Sequence, residues 1–410
     1  MVFAKKNADI IPINDGIFRL GALANEAKEK YGKENVVNAT VGTLYDEDGN
    51  FVALKSVFDS YDSIDDKMKA QYALSFSGNE SYRKQIYNWV LGKTNISMPS
   101  TVIATTGGTG AVAMVLQSCL NENDVFLFPE LAWGSYKLMT QQFSLDARTY
   151  PLFKDDAFDM DSFKQICLNI SQKRQKLTLV INDPCHNPTG YSLTTQEWET
   201  IISILNECST YGPVILINDV AYIDYSFNLE HVHNYMNTFN NISDNIAIVI
   251  AFSCSKTCTS YGLRIGAGIA LTKKEENLKE LEVVFEKMAR STWSNIPNAG
   301  MENFVRVTVD NLEDFEKEKG KYIDLLRTRS DIFIKEATEV GLPFYPFKEG
   351  FFVTIKIDSN EKAQKYHELL IENLIYTVLV DKGIRVGICS ISVEDSKGLA
   401  KKMKDIYDKI

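Results

Sequence analysis

An α/β protein with a mostly parallel central sheet and a second, smaller α+β domain is what this sequence predicts, on three observations. Short apolar or β-branched runs alternate with amphipathic stretches of helical period through the middle of the chain. Glycine-rich or polar turns close those runs. After about residue 310 the pattern changes to one long charged helical stretch followed by isolated strands.

The expected strands are Thr101–Thr105, Val125–Phe128, Leu177–Ile181, Val214–Asn218 and Ala247–Phe252. Between them lie the helical patterns Gly110–Leu120, Trp133–Gln141 and Thr195–Cys208. Strands that alternate with helices call for a parallel sheet covered on both faces. Downstream, Asn311–Glu339 reads as a helix, Phe351–Ile357 and Ile384–Ser390 as strands, with a further helix between them. The expected division is an N-terminal arm (1–14), a large domain (49–314), and a discontinuous small domain (15–48 with 315–410).

Bulk properties exclude several classes. The 410 residues are 45% hydrophobic and 24% charged, an ordinary globular composition. A net charge of -10 argues against nucleic acid as a partner, which calls for a basic footprint. The longest clean apolar run, Ile246–Phe252, is too short to span a bilayer, and the first residues lack the apolar stretch of a secretion signal. Seven cysteines, odd in number and scattered, fit reduced thiols in the cytoplasm. His231 and His233 have no suitably spaced Cys or carboxylate, so no metal site is expected.

The chemistry-bearing residues sit at the ends of the expected strands, where open α/β sheets bind ligands. Gly107-Gly108-Thr109-Gly110 at a strand-to-helix turn offers backbone N–H groups and a helix dipole to a phosphate. The same loop also fits a tight turn, or a dinucleotide fingerprint (Gly108-x-Gly110-x-x-Ala113) with Glu130 as the ribose acid. Alone it does not decide between these. Trp133, just past a strand, is placed to stack on a flat ring or to fill the core. Asn187 in Asn187-Pro188-Thr189-Gly190 is turn chemistry, or an amide donor to a ring oxygen. Asp219 ends a buried strand, where a carboxylate is costly without a cation, and Tyr222 follows it. Lys256, after Ser253-Cys254-Ser255, is an amine among small polar residues, with Arg264 eight residues on.

Taken together and in this order, these residues resemble the class I, aspartate/aromatic aminotransferase family, of the fold type I pyridoxal-phosphate enzymes, over nearly the whole chain. The resemblance implies pyridoxal 5'-phosphate as cofactor, bound to Lys256 as an imine. It implies phosphate contacts from Gly108, Thr109, Ser253 and Arg264, and Asp219 opposite the ring nitrogen. Tyr222 and Asn187 would serve the ring oxygen, with Trp133 stacked on the ring. Tyr72, in Tyr72–Gly78, resembles the tyrosine that reaches the phosphate of a neighbouring subunit, which implies a homodimer with shared sites. Arg385 resembles the arginine that grips the substrate α-carboxylate, and Gly42, in Asn38-x-x-Val41-Gly42, belongs to the segment that closes over substrate.

Substrate choice rests on Arg290-Ser291-Thr292-Trp293-Ser294-Asn295-x-Pro297, which resembles the stretch whose arginine crosses to the partner's site and meets a distal carboxylate. The expected substrates are an aspartate- or glutamate-like amino acid, or an aromatic one, with 2-oxoglutarate as the 2-oxo acid. Other reactions on the same cofactor (lyase, decarboxylase, cyclopropane-carboxylate synthase) are the alternative. Two departures stand out. Ser135 and Tyr136 occupy the place where the family often has a His behind the ring aspartate, and Thr257–Tyr261 differs from the usual segment after the lysine.

Overall fold

The computed structural model describes residues 16–410 together with residues 3 and 12, so the arm expected over 1–14 lies almost wholly outside the described residues. Its centre is a seven-stranded sheet built from β1 (Ser100–Thr105), β2 (Val125–Pro129), β3 (Asp146–Tyr150), β4 (Leu177–Asn182), β5 (Val214–Asp219), β6 (Ile246–Ser253) and β7 (Gly266–Leu271). Across the sheet the order is β1-β7-β6-β5-β4-β2-β3. Strands β3, β2, β4, β5 and β6 run parallel, and β7 lies antiparallel between β6 and β1.

Alternation along each strand feeds two cores on opposite faces, as a period of two requires. Val102, Leu127, Leu179, Leu216 and Ile248 join one core, with Tyr82, Ile86 and Val90 of the helix Glu80–Leu91. Ile103, Phe126, Val180, Ile217 and Val249 join the other, under the helices Gly107–Cys119 and Glu275–Thr292. The helix Thr195–Cys208 falls where the sequence places it, because Thr194 and Glu197 form a reciprocal capping box.

Two strands of the sheet are absent from the sequence reading. β3 is an edge strand of largely polar residues (Asp146-Ala-Arg-Thr-Tyr150), so it shows no apolar run. β7 (Gly-Ala-Gly-Ile-Ala-Leu) is composed mostly of small residues, which strand propensity penalises. Packing requires them: a Cβ on Gly266 would lie 2.7 Å from Gly107 Cα and 2.6 Å from the Phe252 carbonyl oxygen. Close approach of the helix N-terminus to the strand outweighs propensity here.

A three-stranded antiparallel sheet of Phe352–Lys356, Gly383–Gly387 and Val378–Val380 forms a second layer with its own core. The expected strand Ile384–Ser390 stops at Gly387 and continues as a 3-10 turn over Ile388–Ser390. Val37–Asn38 pairs in parallel with Ile375–Tyr376, tying the early segment to this layer. The 29-residue helix Leu312–Val340 links the two bodies: Phe315, Ile323 and Leu326 enter the large core, while Phe333 and Ala337 enter the small one. Among the described residues, no helix is long and apolar enough to cross a membrane.

Candidate active site

Strand register sets the site. Asn182, Asp219 and Ala251 lie abreast at the ends of β4, β5 and β6, and Ser253, Gly266 and Thr105 lie abreast one step further out. A buried acid and a glycine-rich helix start therefore face the same cleft, at the carboxyl ends of the parallel strands.

Asp219 is the last residue of β5 and is almost fully buried. Burial raises its carboxyl above the ordinary range, against which act the Tyr136 hydroxyl, the Ala221 N–H and the Lys256 ammonium. Tyr136 donates to Asp219 Oδ2 at 2.6 Å and the Ala221 N–H to Oδ1 at 3.1 Å. The neighbouring loop is pinned to this strand. Asn182 Nδ2 donates to the Asp219 carbonyl at 2.9 Å, and Asn182 Oδ1 accepts from the Asn187 N–H at 2.8 Å. The Asn187 side chain thereby meets the Tyr222 hydroxyl, whose pKa burial pushes up.

Lys256 sits in a single helical turn, Cys254–Thr257. Thr257 anchors that turn by donating to Asp224 Oδ2 at 2.7 Å, and Asp224 also takes Trp89 Nε1 at 3.1 Å and Lys319 Nζ at 3.3 Å. The Lys256 amine lies 4.9 Å from the Tyr261 ring centre and 5.5 Å from that of Tyr222. Burial among these groups brings its pKa down to about 8, with Arg264 adding to the effect and Cys389 and Asp219 opposing it. A lowered amine of this kind supplies the neutral nucleophile that bonding to an aldehyde needs.

The helix expected from Gly110 begins at Gly107, so the glycines form its first turn and its free N–H groups open directly on the cleft. A Cβ on Gly108 would stand 3.3 Å from Ser253 Cβ and narrow this cradle. Arg264 lies in the left-handed region and donates to Ser255 Oγ at 3.3 Å and to the Tyr261 and Thr106 carbonyls at 2.8 and 3.2 Å. On the opposite wall Trp133 precedes the helix Ser135–Gln142 rather than starting it, and meets Tyr136 edge-on at 5.4 Å and 85°.

One cavity of about 250 Å³ collects these groups. Gly108, Thr109, Ser253 and Arg264 line one end, and Trp133, Asn187, Asp219, Tyr222 and Lys256 line the rest. Asn182, Ala221, Ser255 and Tyr261 line it as well, without having been singled out as ligands in the sequence. Arg385 adjoins it, donating to Asn187 Oδ1 at 3.3 Å and the Thr40 carbonyl at 2.8 Å while packing 4.3 Å over Phe352. Its buried Nε has no partner among the described residues. Gly42 is close by, where a Cβ would come within 3.3 Å of Phe352.

Tyr72 and Arg290 are not in this cavity. Tyr72 is 83% exposed and Arg290 is exposed. Their segments lie against each other, since the Ala73 N–H donates to Asn295 Oδ1 at 3.0 Å and Arg290 sits 4.6 Å over the Phe76 ring.

A helix N-terminus beside Arg264, a buried acid and an amine lining one cavity match the charges of a phosphorylated pyridine aldehyde. Comparison with known proteins agrees. The profile of the family "Aminotransferase class I and II" matches residues 34–403. An aminotransferase structure from Anaerococcus prevotii DSM 20548 superposes with a TM-score of 0.96 at 32% identity, covering 100% of both chains. The aromatic-amino-acid aminotransferase of Burkholderia pseudomallei, covalently bound to pyridoxal phosphate, has the same fold (TM-score 0.81, 18% identity, 99% of this chain and 100% of that one). The Haemophilus influenzae aspartate aminotransferase is 21% identical over 335 residues, 80% of this chain and 82% of that protein. The chain belongs to the class I and II aminotransferases, enzymes that work with pyridoxal phosphate.

Proposed function

We propose that this enzyme moves the amino group of an L-amino acid with a distal carboxylate or an aromatic side chain to a 2-oxo acid such as 2-oxoglutarate, with Lys256 as the catalytic amine. The observation that carries the reading is that Lys256 lines one cavity together with a buried carboxylate and a helix N-terminus.

Pyridoxal phosphate, when bound, supplies an aldehyde for the incoming amine and a ring that draws electron density from the substrate Cα. Gly108, Thr109, Ser253 and Arg264 would hold its phosphate, Trp133 would pack against its ring, Asp219 would oppose its nitrogen, and Tyr222 and Asn187 would donate to its oxygen. Arg385 grips the substrate α-carboxylate and so orients the Cα hydrogen toward Lys256. The Lys256 amine takes that proton as general base and later returns it as general acid.

The small layer, the helix Leu312–Val340 beyond its first turn and the segment 15–48 form the domain that carries Arg385. The active form is a homodimer in which Tyr72 and Arg290 serve the partner's cleft, Tyr72 at the phosphate and Arg290 at a distal substrate carboxylate. The exposure of Tyr72 (83%), Leu74 (97%) and Phe76 (47%) supports this, since a patch of such apolar groups is costly to leave in water. Seven free thiols support a cytoplasmic setting.

The test is an absorption spectrum of the purified holoenzyme followed by aspartate, phenylalanine and tyrosine as donors against 2-oxoglutarate. Glutamate formed one-for-one from 2-oxoglutarate with aspartate or an aromatic donor is the expected result. Consumption of the donor without glutamate formation would point to elimination or decarboxylation instead.

A further inference from the structure

Tyr136 is the residue of this site whose chemistry departs most from the family pattern. It is fully buried, and its hydroxyl donates to Asp219 Oδ2 at 2.6 Å. Its ring meets the edge of Trp133 at 5.4 Å and is fixed from behind by Phe126 at 6.2 Å and Phe128 at 6.3 Å. One side chain thus touches both the acid and the flat aromatic wall of the cavity, which belong to different strand ends.

We propose that Tyr136 is a positioning residue that holds Asp219 ionised and aimed at the cofactor's ring nitrogen, and that sets the tilt of Trp133. This rests on the reading of Asp219 given above. Burial alone favours the neutral acid, and a neutral acid gives the ring nitrogen no opposing charge. Two donors favour the anion, the Ala221 N–H and the phenol, and only the phenol is a side chain open to substitution. An imidazole in the same place changes between donor and acceptor near neutrality. A buried phenol stays a donor across the working range, because burial and Asp219 itself push its pKa well above the ordinary value. The acid's charge is then insulated from the titration of its neighbour. The charged or titratable groups facing the pair are Lys256 across the cavity and Tyr150 and Tyr222 alongside.

The experiment uses holoenzyme reconstituted with cofactor labelled with ¹⁵N in the ring, for the native protein, Tyr136→Phe, Tyr136→His and Asp219→Asn. Tyr136→Phe keeps the ring packing and removes one hydrogen bond to a charged group, so cofactor affinity falls roughly 10- to 100-fold. Its ring-nitrogen resonance moves from the protonated toward the neutral position, and Tyr136→His recovers most of both. An unmoved resonance with native cofactor affinity in Tyr136→Phe overturns the proposal and would mark a packing role only, because that variant keeps the ring packing and lacks only the hydroxyl. Should Tyr136→Phe not fold, Tyr136→His decides alone: a protonated resonance with near-native affinity supports the proposal and a neutral one overturns it. Asp219→Asn separates the two levels. If its resonance is also unchanged, the reading of Asp219 falls, and not merely the role of Tyr136.

Discussion

The floor of the cleft and its rim are built on opposite terms. On the floor Asp219, Asn187, Ser253 and Arg385 are buried within one chain, and nearly every polar atom has an internal partner. On the rim Tyr72, Leu74, Phe76 and Arg290 face outward, apolar and cationic groups together, with little to cover them. On the proposed reading the floor carries the chemistry common to all substrates, with its groups supplied almost entirely by one chain. On the same reading the rim completes a second copy's cleft, Arg290 bearing on substrate choice and Tyr72 on the phosphate.

Four substitutions and one titration sharpen or break that contrast. Lys256→Ala should abolish both turnover and the visible absorbance of covalently held cofactor, and an active Lys256→Ala protein would remove the mechanism altogether. Arg385→Leu should lower kcat/KM for every amino acid by roughly 100- to 1000-fold, as for a truncated partner of a buried charge pair. Steady-state kinetics with aspartate and with phenylalanine checks this, because a floor residue must affect both alike. Arg290→Leu should cost roughly 10- to 100-fold for dicarboxylic substrates and little for aromatic ones. Equal losses for both would place Arg290 in structure rather than selection.

Lys256 has a pKa of about 8 against an ordinary 10.5, so its neutral fraction grows as pH rises toward about 8 and then levels. The rate at which apoprotein attaches pyridoxal phosphate should climb about tenfold per pH unit below that point, following the neutral amine. Stopped-flow absorbance measures it, and a flat profile from pH 6 to 8 would contradict the lowered amine. The smallest effect is expected from Tyr72→Phe, a loss of roughly 3- to 10-fold in cofactor affinity from one hydrogen bond. Sedimentation alongside it should show a dimer. A fully active monomer would leave the rim without its assigned purpose.

Much of the floor was legible because its residues close strands whose apolar runs are unmistakable. Asp219 follows Val214–Asn218, and Lys256 follows Ala247–Phe252 by four residues, so the strand pattern alone locates them at one edge. The glycine loop was ambiguous in isolation, and the order of the remaining motifs resolved it. Tyr136 was visible only as a missing histidine, since a tyrosine seven residues beyond a strand carries no mark of its partner 83 positions later. β7 was hidden for a different reason: its small residues answer to the helix pressed against it, an environment absent from the local sequence.

Composition and periodicity determined the class of fold and the ends of five of the seven sheet strands, because these follow from short-range pattern, and the roles proposed for the side chains at those ends came from the resemblance of their order to a known family. The three-dimensional arrangement settled which groups share a cavity, that a phenol backs the acid, that the Lys256 amine is lowered, and that Tyr72 and Arg290 stay outside. Those properties depend on burial and on contacts between residues far apart in the chain, and desolvation is a property of surroundings that no local stretch encodes.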